Sequence, residues 1–200
     1  MNDLSTRDKI LKRSHKLFAD NGFNGVSIRE IAKVCDVNVA AINYHFKNKE
    51  NLYTETVRHS IENTQADIKN IFESLEVKDV EVLAIETLKH FMNNAEELRT
   101  SFKLVLSSDP ICQNIGSQLK KFEGPPGGEF FYQCLRAEIP IASEDNINWG
   151  VRVIFSHVIH KAIVMCNNSI CESMSEIGLG KDVFLEDLRR LVKVVKKDIL

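Results

Sequence analysis

No stretch of this 200-residue chain approaches the roughly 18 to 20 uninterrupted apolar residues of a membrane span. The segment from Met1 to Lys9 has no apolar core of the kind a secretory leader carries, so export by that route is not expected. The cysteines Cys35, Cys112, Cys134, Cys166 and Cys171 are odd in number and show no paired metal spacing, which fits a reducing cytoplasm. A Gly-x-Ser-x-Gly elbow, a phosphate-binding loop and a dinucleotide glycine pattern are all missing, so enzymatic function has no positive support and no cofactor or metal is expected. Convincing β alternation and internal repeats are missing too. The expectation is therefore an all-α protein, with 44% hydrophobic residues as in an ordinary soluble globular chain.

Charge of one sign is also lacking. The formal net charge of −2 excludes a wholly basic coat, but its distribution is uneven. Residues 1 to 60 hold 10 Lys/Arg against 7 Asp/Glu, giving +3, and the remainder hold 16 against 21, giving −5. A mildly basic head on an acidic body fits nucleic-acid contact confined to one end.

What is present is concentrated between Ser27 and Lys49. Ser27 can cap a helix, and Glu30, three residues on, can close a capping box. Ile28, Ile31, Ala32 and Cys35 then fall at i, i+3, i+4 and i+7, one apolar face of a short helix. Asp36, Val37 and Asn38 break that pattern, and Asn38 can cap a second helix starting at Val39. Ile42 and Phe46 mark the inner side of this second helix. Val39, Ala40 and Ala41 are small enough to let it approach a surface closely, Asn43 can hydrogen-bond a base edge, and Tyr44, His45 and Lys49 can donate to phosphate oxygens. This is the outline of a helix-turn-helix.

From Leu11 to Tyr53 the chain resembles the tetracycline-repressor (TetR) family of bacterial transcriptional regulators. The matching blocks run from Ile10 to Phe23, from Ser27 to Ala32 and from Ile42 to Tyr53. The last block, with Tyr44, His45, Phe46, Lys47, Lys49, Glu50 and Leu52, is the most specific. The resemblance implies that Arg29, Val39, Ala40, Ala41 and Asn43 face bases, and that Ser27, Tyr44, His45 and Lys49 hold the phosphate backbone. It also implies a homodimer through the last two helices, a palindromic double-stranded operator, and a small-molecule effector that releases a repressor. Two positions depart from the family pattern. Asp36 stands where the turn usually has Gly, and Ala40 with Ala41 replaces a common Gly-Thr pair, which removes a hydroxyl donor. The reading from another class is a helical adaptor that kept the fold without operator binding.

The domain division expected is 1–48 for the helix-turn-helix domain and 49–200 for a helical ligand-binding and dimerisation domain. The first helix is expected from Ser5 to Asn21, with Ile10, Leu11, Leu17 and Phe18 buried and Gly22 ending it. The fourth should run unusually long, from Lys49 to Leu75, belong to both domains and act as a lever. Further helical segments are Val80 to Leu98, Glu97 to Ser108, Ile111 to Phe122, Glu129 to Ala137, Asn146 to Cys171 and Val183 to Ile199. The run from Gly124 to Gly128 is the clearest breaker in the chain.

In the body, Phe91, Phe102, Phe130, Phe131, Trp149 and Phe155 are candidates to line an apolar ligand pocket, with simple core packing as the alternative for each. His157 and His160 sit three apart on one helix, but no further ligand stands near in sequence. Lys120 with Lys121, and Lys193 with Lys196 and Lys197, read as solvated helix faces.

Overall fold

The computed structural model describes residues 5–106, 124–165, 172–173, 176–178 and 180–200. The predicted segment Ile111 to Phe122, the pair Lys120 and Lys121, and Cys112, Cys166 and Cys171 lie outside these residues. Among the described residues the regular structure is helical: α1 (Thr6–Asn21), α2 (Ile28–Cys35), α3 (Val39–Phe46), α4 (Lys49–Ser74), α5 (Val80–Asn93), α6 (Ala95–Val105), α7 (Gly128–Glu138), α8 (Glu144–Met165) and α9 (Lys181–Asp198). Contacts divide the chain into two units, Met1–Asn63 with Arg99–Phe122, and Thr64–Leu98 with Glu123–Leu200. Both α4 and α6 contribute residues to each unit.

The first unit is built around one apolar cluster. Ile10, Leu11 and Phe18 of α1, Ile31, Ala32 and Cys35 of α2, Ile42 and Phe46 of α3, and Leu52, Tyr53 and Val57 of α4 are all buried in it. Burying each such large side chain contributes about 1.5 to 3 kcal/mol, enough to fix short helices that could not persist alone. Phe18, Phe23 and Tyr53 form a ring cluster in which Tyr53 meets Phe18 edge-on at 5.0 Å and Phe23 at 5.4 Å. Leu104 of α6 is buried in the same cluster. Nearby, Nε2 of His15 lies 3.2 Å from the Ser60 hydroxyl and 3.4 Å from that of Ser101. Leu17, expected in the buried stripe, is only partly buried, and Ser14 is buried in α1 instead.

In the second unit α8 packs against α5, α7 and α9. The turn before α7 is held by Gly127, whose φ of 77° is left-handed and whose α-carbon faces Ile68 so closely that a Cβ there would lie 2.8 Å from it. The helical break expected near Leu98 falls earlier. Asn94 ends α5, donating both its backbone N–H and its side-chain amide to the His90 carbonyl. Lys196 is no part of a solvated face: its ammonium pairs with Glu138 at 2.5 Å and Asp79 at 3.2 Å, tying α9 to α7 and to the start of α5. Lys193 and Lys197 are exposed, as expected. No helix among the described residues is long and apolar enough to cross a membrane.

Candidate nucleic-acid interface

The helix-turn-helix is fixed by its caps. The Ser27 N–H donates to Glu30 Oε2 at 2.7 Å while the Glu30 N–H donates to Ser27 Oγ at 3.2 Å, a closed capping box at the start of α2. The Ser27 hydrogen bonds, with Lys49 nearby, hold the Glu30 carboxyl below its ordinary value. At the other end Asp36 takes left-handed geometry (φ 55°, ψ 51°). Its N–H donates to the Lys33 carbonyl and the Val37 N–H to the Ala32 carbonyl, the two bonds of a Schellman motif. Asp is among the few non-glycine residues that enter this region routinely, so the departure from Gly is absorbed without a change of turn.

Asn38 then starts α3, its Oδ1 accepting from the Ala41 N–H at 2.7 Å. Ile42 is fully buried and Phe46 nearly so, anchoring α3 by one side. Arg7 steadies the far end of that anchor, with its guanidinium 5.3 Å above the Phe46 ring and 2.7 Å from Glu55. α3 closes at Lys47, which has φ 68° and donates its N–H to the Asn43 carbonyl. One residue later Asn48 caps α4 through the Asn51 N–H at 2.8 Å.

The side of α3 left in solvent carries the chemistry. Ala40, Asn43 and Tyr44 are exposed, Tyr44 to 84%, while Val39, Ala41 and His45 are half-buried. The His45 ring lies 5.2 Å from that of Tyr44, edge to face. Ser27 and Arg29 are exposed at the start of α2. Lys49 is half-buried, its ammonium 4.1 Å above the Phe23 ring, so its reach begins from that aromatic seat. The residues expected to face bases and those expected to hold phosphates are thus all exposed or half-buried in the first unit, and none is sealed in its core.

Lys47, not among the sequence candidates, is exposed at the C-terminal end of α3, where its positive φ takes it out of the helical register.

Cys35, buried within the first unit, has its thiol pushed up by desolvation, so it packs as a small apolar group rather than a nucleophile.

The body's aromatic candidates occupy different places. Phe102 falls in the first unit and the other five in the second. Phe131 and Phe155 are buried and meet edge-on at 5.9 Å, Phe130 packs on Phe72 at 5.2 Å, and Phe91 is buried in α5. Trp149 is 40% exposed and lines an open groove of about 520 Å³ with Arg152, Val153, Ser156, His157, His160 and Leu191. His157 and His160 therefore share that groove. No cluster of three metal-capable side chains occurs among the described residues.

Residues 10–56 match the family model described as bacterial regulatory proteins, tetR family. Over 118 residues the chain is 30% identical to the probable HTH-type transcriptional regulator YttP of Bacillus subtilis (strain 168), an alignment covering 57% of each chain. The chain spans about half or less of the length of the curated relatives it matches, between 28% and 57%. Among solved structures, Salmonella enterica GusR is similar with a TM-score of 0.70 at 17% identity, covering 98% of both chains. A cysteine mutant of the TetR family transcriptional regulator CifR, complexed with 26bp double-strand operator DNA, is similar with a TM-score of 0.63 at 12% identity, covering 93% of this chain and 94% of that one. At such identities these two likenesses establish the fold alone.

Proposed function

We propose that the chain, whose residues 10–56 match the tetR family of bacterial regulatory proteins, is a cytoplasmic, sequence-specific DNA-binding transcriptional regulator of that family. The single observation that carries this reading is the outward stripe of α3. A short helix anchored by Ile42 and Phe46 presents small residues, a carboxamide, a phenol and a lysine to solvent, with its capped N-terminus leading. A recognition helix enters the major groove with its N-terminal residues on the base edges and its later residues toward the backbone. Val39, Ala40, Ala41 and Asn43 then face bases, with Arg29 beside them, while Ser27, Tyr44, His45 and Lys49 hold phosphates and Lys47 joins this second group. The operator-bound CifR mutant, similar in fold, supports the same use of the head.

The division of labour places DNA binding in residues 1–48, and dimerisation and ligand sensing in 49–200. The homodimer forms through α8 and α9. The exposed Trp149 and Ile163 on α8 and Val194 on α9 support that choice, because apolar side chains left in solvent on two long helices gain by burial against a second copy. Two heads related by a two-fold axis add their contacts and require a palindromic operator. A small-molecule effector acts by preferring a body conformation in which the heads are wrongly spaced for successive major grooves, and its effect is limited by its difference in affinity for the two states. The regulator is then a repressor released by its ligand.

Selection of bound duplexes from random DNA tests this reading. A recovered palindrome supports it. Equal recovery of all sequences contradicts it and favours the helical adaptor.

A further inference from the structure

Resting on the regulator reading, we infer that the base pairs lying under α3 in each half-site are A·T, with thymine 5-methyl groups against Val39 and Ala40 and an adenine read by Asn43. Major-groove readout depends on which donors and acceptors a helix offers. Guanine is read by Arg or Lys on O6 and N7, cytosine by a carboxylate on N4, adenine by Asn or Gln on N6 and N7, and thymine by apolar contact with its methyl. From Val39 to Phe46 the chain carries no Arg, Lys, Gln, Ser, Thr, Asp or Glu. Its single bidentate reader is Asn43, exposed on the stripe with Ala40 one turn before it. Val39 and Ala40 sit in the first turn, the part of a recognition helix that comes closest to the bases; Ala40 is exposed, Val39 packs by one side against the apolar cluster and keeps part of its surface in solvent, and neither has a polar side-chain atom to satisfy. Their methyl groups gain against a thymine methyl and gain little against the amino group of cytosine.

The remaining polar side chains near this stripe are placed for other work. His45 is half-buried, with its ring edge-on to Tyr44. Lys47 lies at the C-terminal end of α3, the end directed toward the backbone. Arg29 stands on α2, outside the stripe. The inference concerns only the pairs under Val39, Ala40 and Asn43.

The test uses the full chain and the duplex it selects from random DNA, with single-atom changes in the bases. Replacing a contacted thymine by deoxyuridine removes one methyl group, and wild type is expected to lose about four-fold in affinity per position. Replacing the contacted adenine by 7-deazaadenine removes N7, and wild type is expected to lose about ten-fold. Asn43→Ala should be indifferent to the 7-deazaadenine change, and Ala40→Gly should be indifferent to deoxyuridine at one thymine. A merely weakened helix in Ala40→Gly would lower affinity for every duplex alike and leave the deoxyuridine loss intact, which would overturn the inference. Selected half-sites whose pairs sensitive to Asn43→Ala are G·C would overturn it while leaving the regulator reading in place. A chain that selects no sequence would overturn both.

Discussion

Ser27 and Glu30 exchange backbone-to-side-chain hydrogen bonds at the start of α2, 2.7 Å in one direction and 3.2 Å in the other. Because these bonds favour the carboxylate, the Glu30 carboxyl is held below its ordinary value of 4.5 in the folded head. A carboxyl depressed by folding stabilises above its unfolded value, and that stabilisation is lost as pH falls through the folded one. Wild type should therefore exceed Glu30→Gln in urea midpoint at pH 7, and the difference should vanish in acid below the folded value. A constant difference across that range would show that the charge of Glu30 has no part in the cap. Ser27→Ala should cost about 1 kcal/mol of stability, an effect separate from any weakening of phosphate binding.

Gly127 resists replacement on two counts. Its left-handed φ of 77° and the 2.8 Å that a Cβ would leave to Ile68 act together. Gly127→Ala should destabilise by roughly 2 to 4 kcal/mol, the sum of the backbone cost and overpacking. Chemical denaturation measures it, and in an Ile68→Ala background the same substitution should cost less, because the two positions are in direct contact.

Lys196 meets Asp79 and Glu138 from a helix far along the chain. Burial alone would raise the Asp79 carboxyl, but the Val82 N–H and the Lys196 ammonium outweigh it and hold the group low. Lys196→Met leaves two carboxylates facing each other and should cost about 2 kcal/mol at neutral pH. Because Asp79 is depressed, that cost should shrink as pH falls below its ordinary value of 3.8, which paired urea titrations at several pH values would show.

The proposed dimer has its own measurement. Sedimentation at micromolar concentration should give a dimer for wild type. Trp149→Glu should shift the protein toward monomer, since it sets a charge on the exposed α8 face. A monomeric wild type would contradict the two-headed account of operator binding.

Head and body differ in how much of each can be read from the chain. In the head the deciding signals are local. Ser5, Ser27 and Asn38 each cap a helix from its own first turn, and Ile42 and Phe46 anchor α3 by their spacing alone. Asp36 can be assigned to the turn because its residue type tolerates the geometry it adopts. Farther along, the signals are tertiary. Nothing near Lys196 in sequence announces Asp79 and Glu138 as its partners, so its charge reads as solvated. In α4, Leu52, Tyr53, Thr56 and Val57 are all buried, more of the helix's circumference than one core face occupies. The aromatics of the body illustrate the same limit, since composition identifies Phe131 and Trp149 alike while one is sealed and the other lines a groove.

The central claim is that the α3 stripe, with Lys47 at its C-terminal end, lies against a duplex. Its most direct test is the ratio of affinities of the full chain for its selected palindrome and for a scrambled duplex of equal length, at fixed physiological salt. The account predicts a ratio of about 10³ or more, reduced by Asn43→Ala. Lys47→Ala should lower both affinities alike and flatten the salt dependence by about one phosphate contact per head. A ratio near one for wild type, with no response to Asn43→Ala, would contradict it.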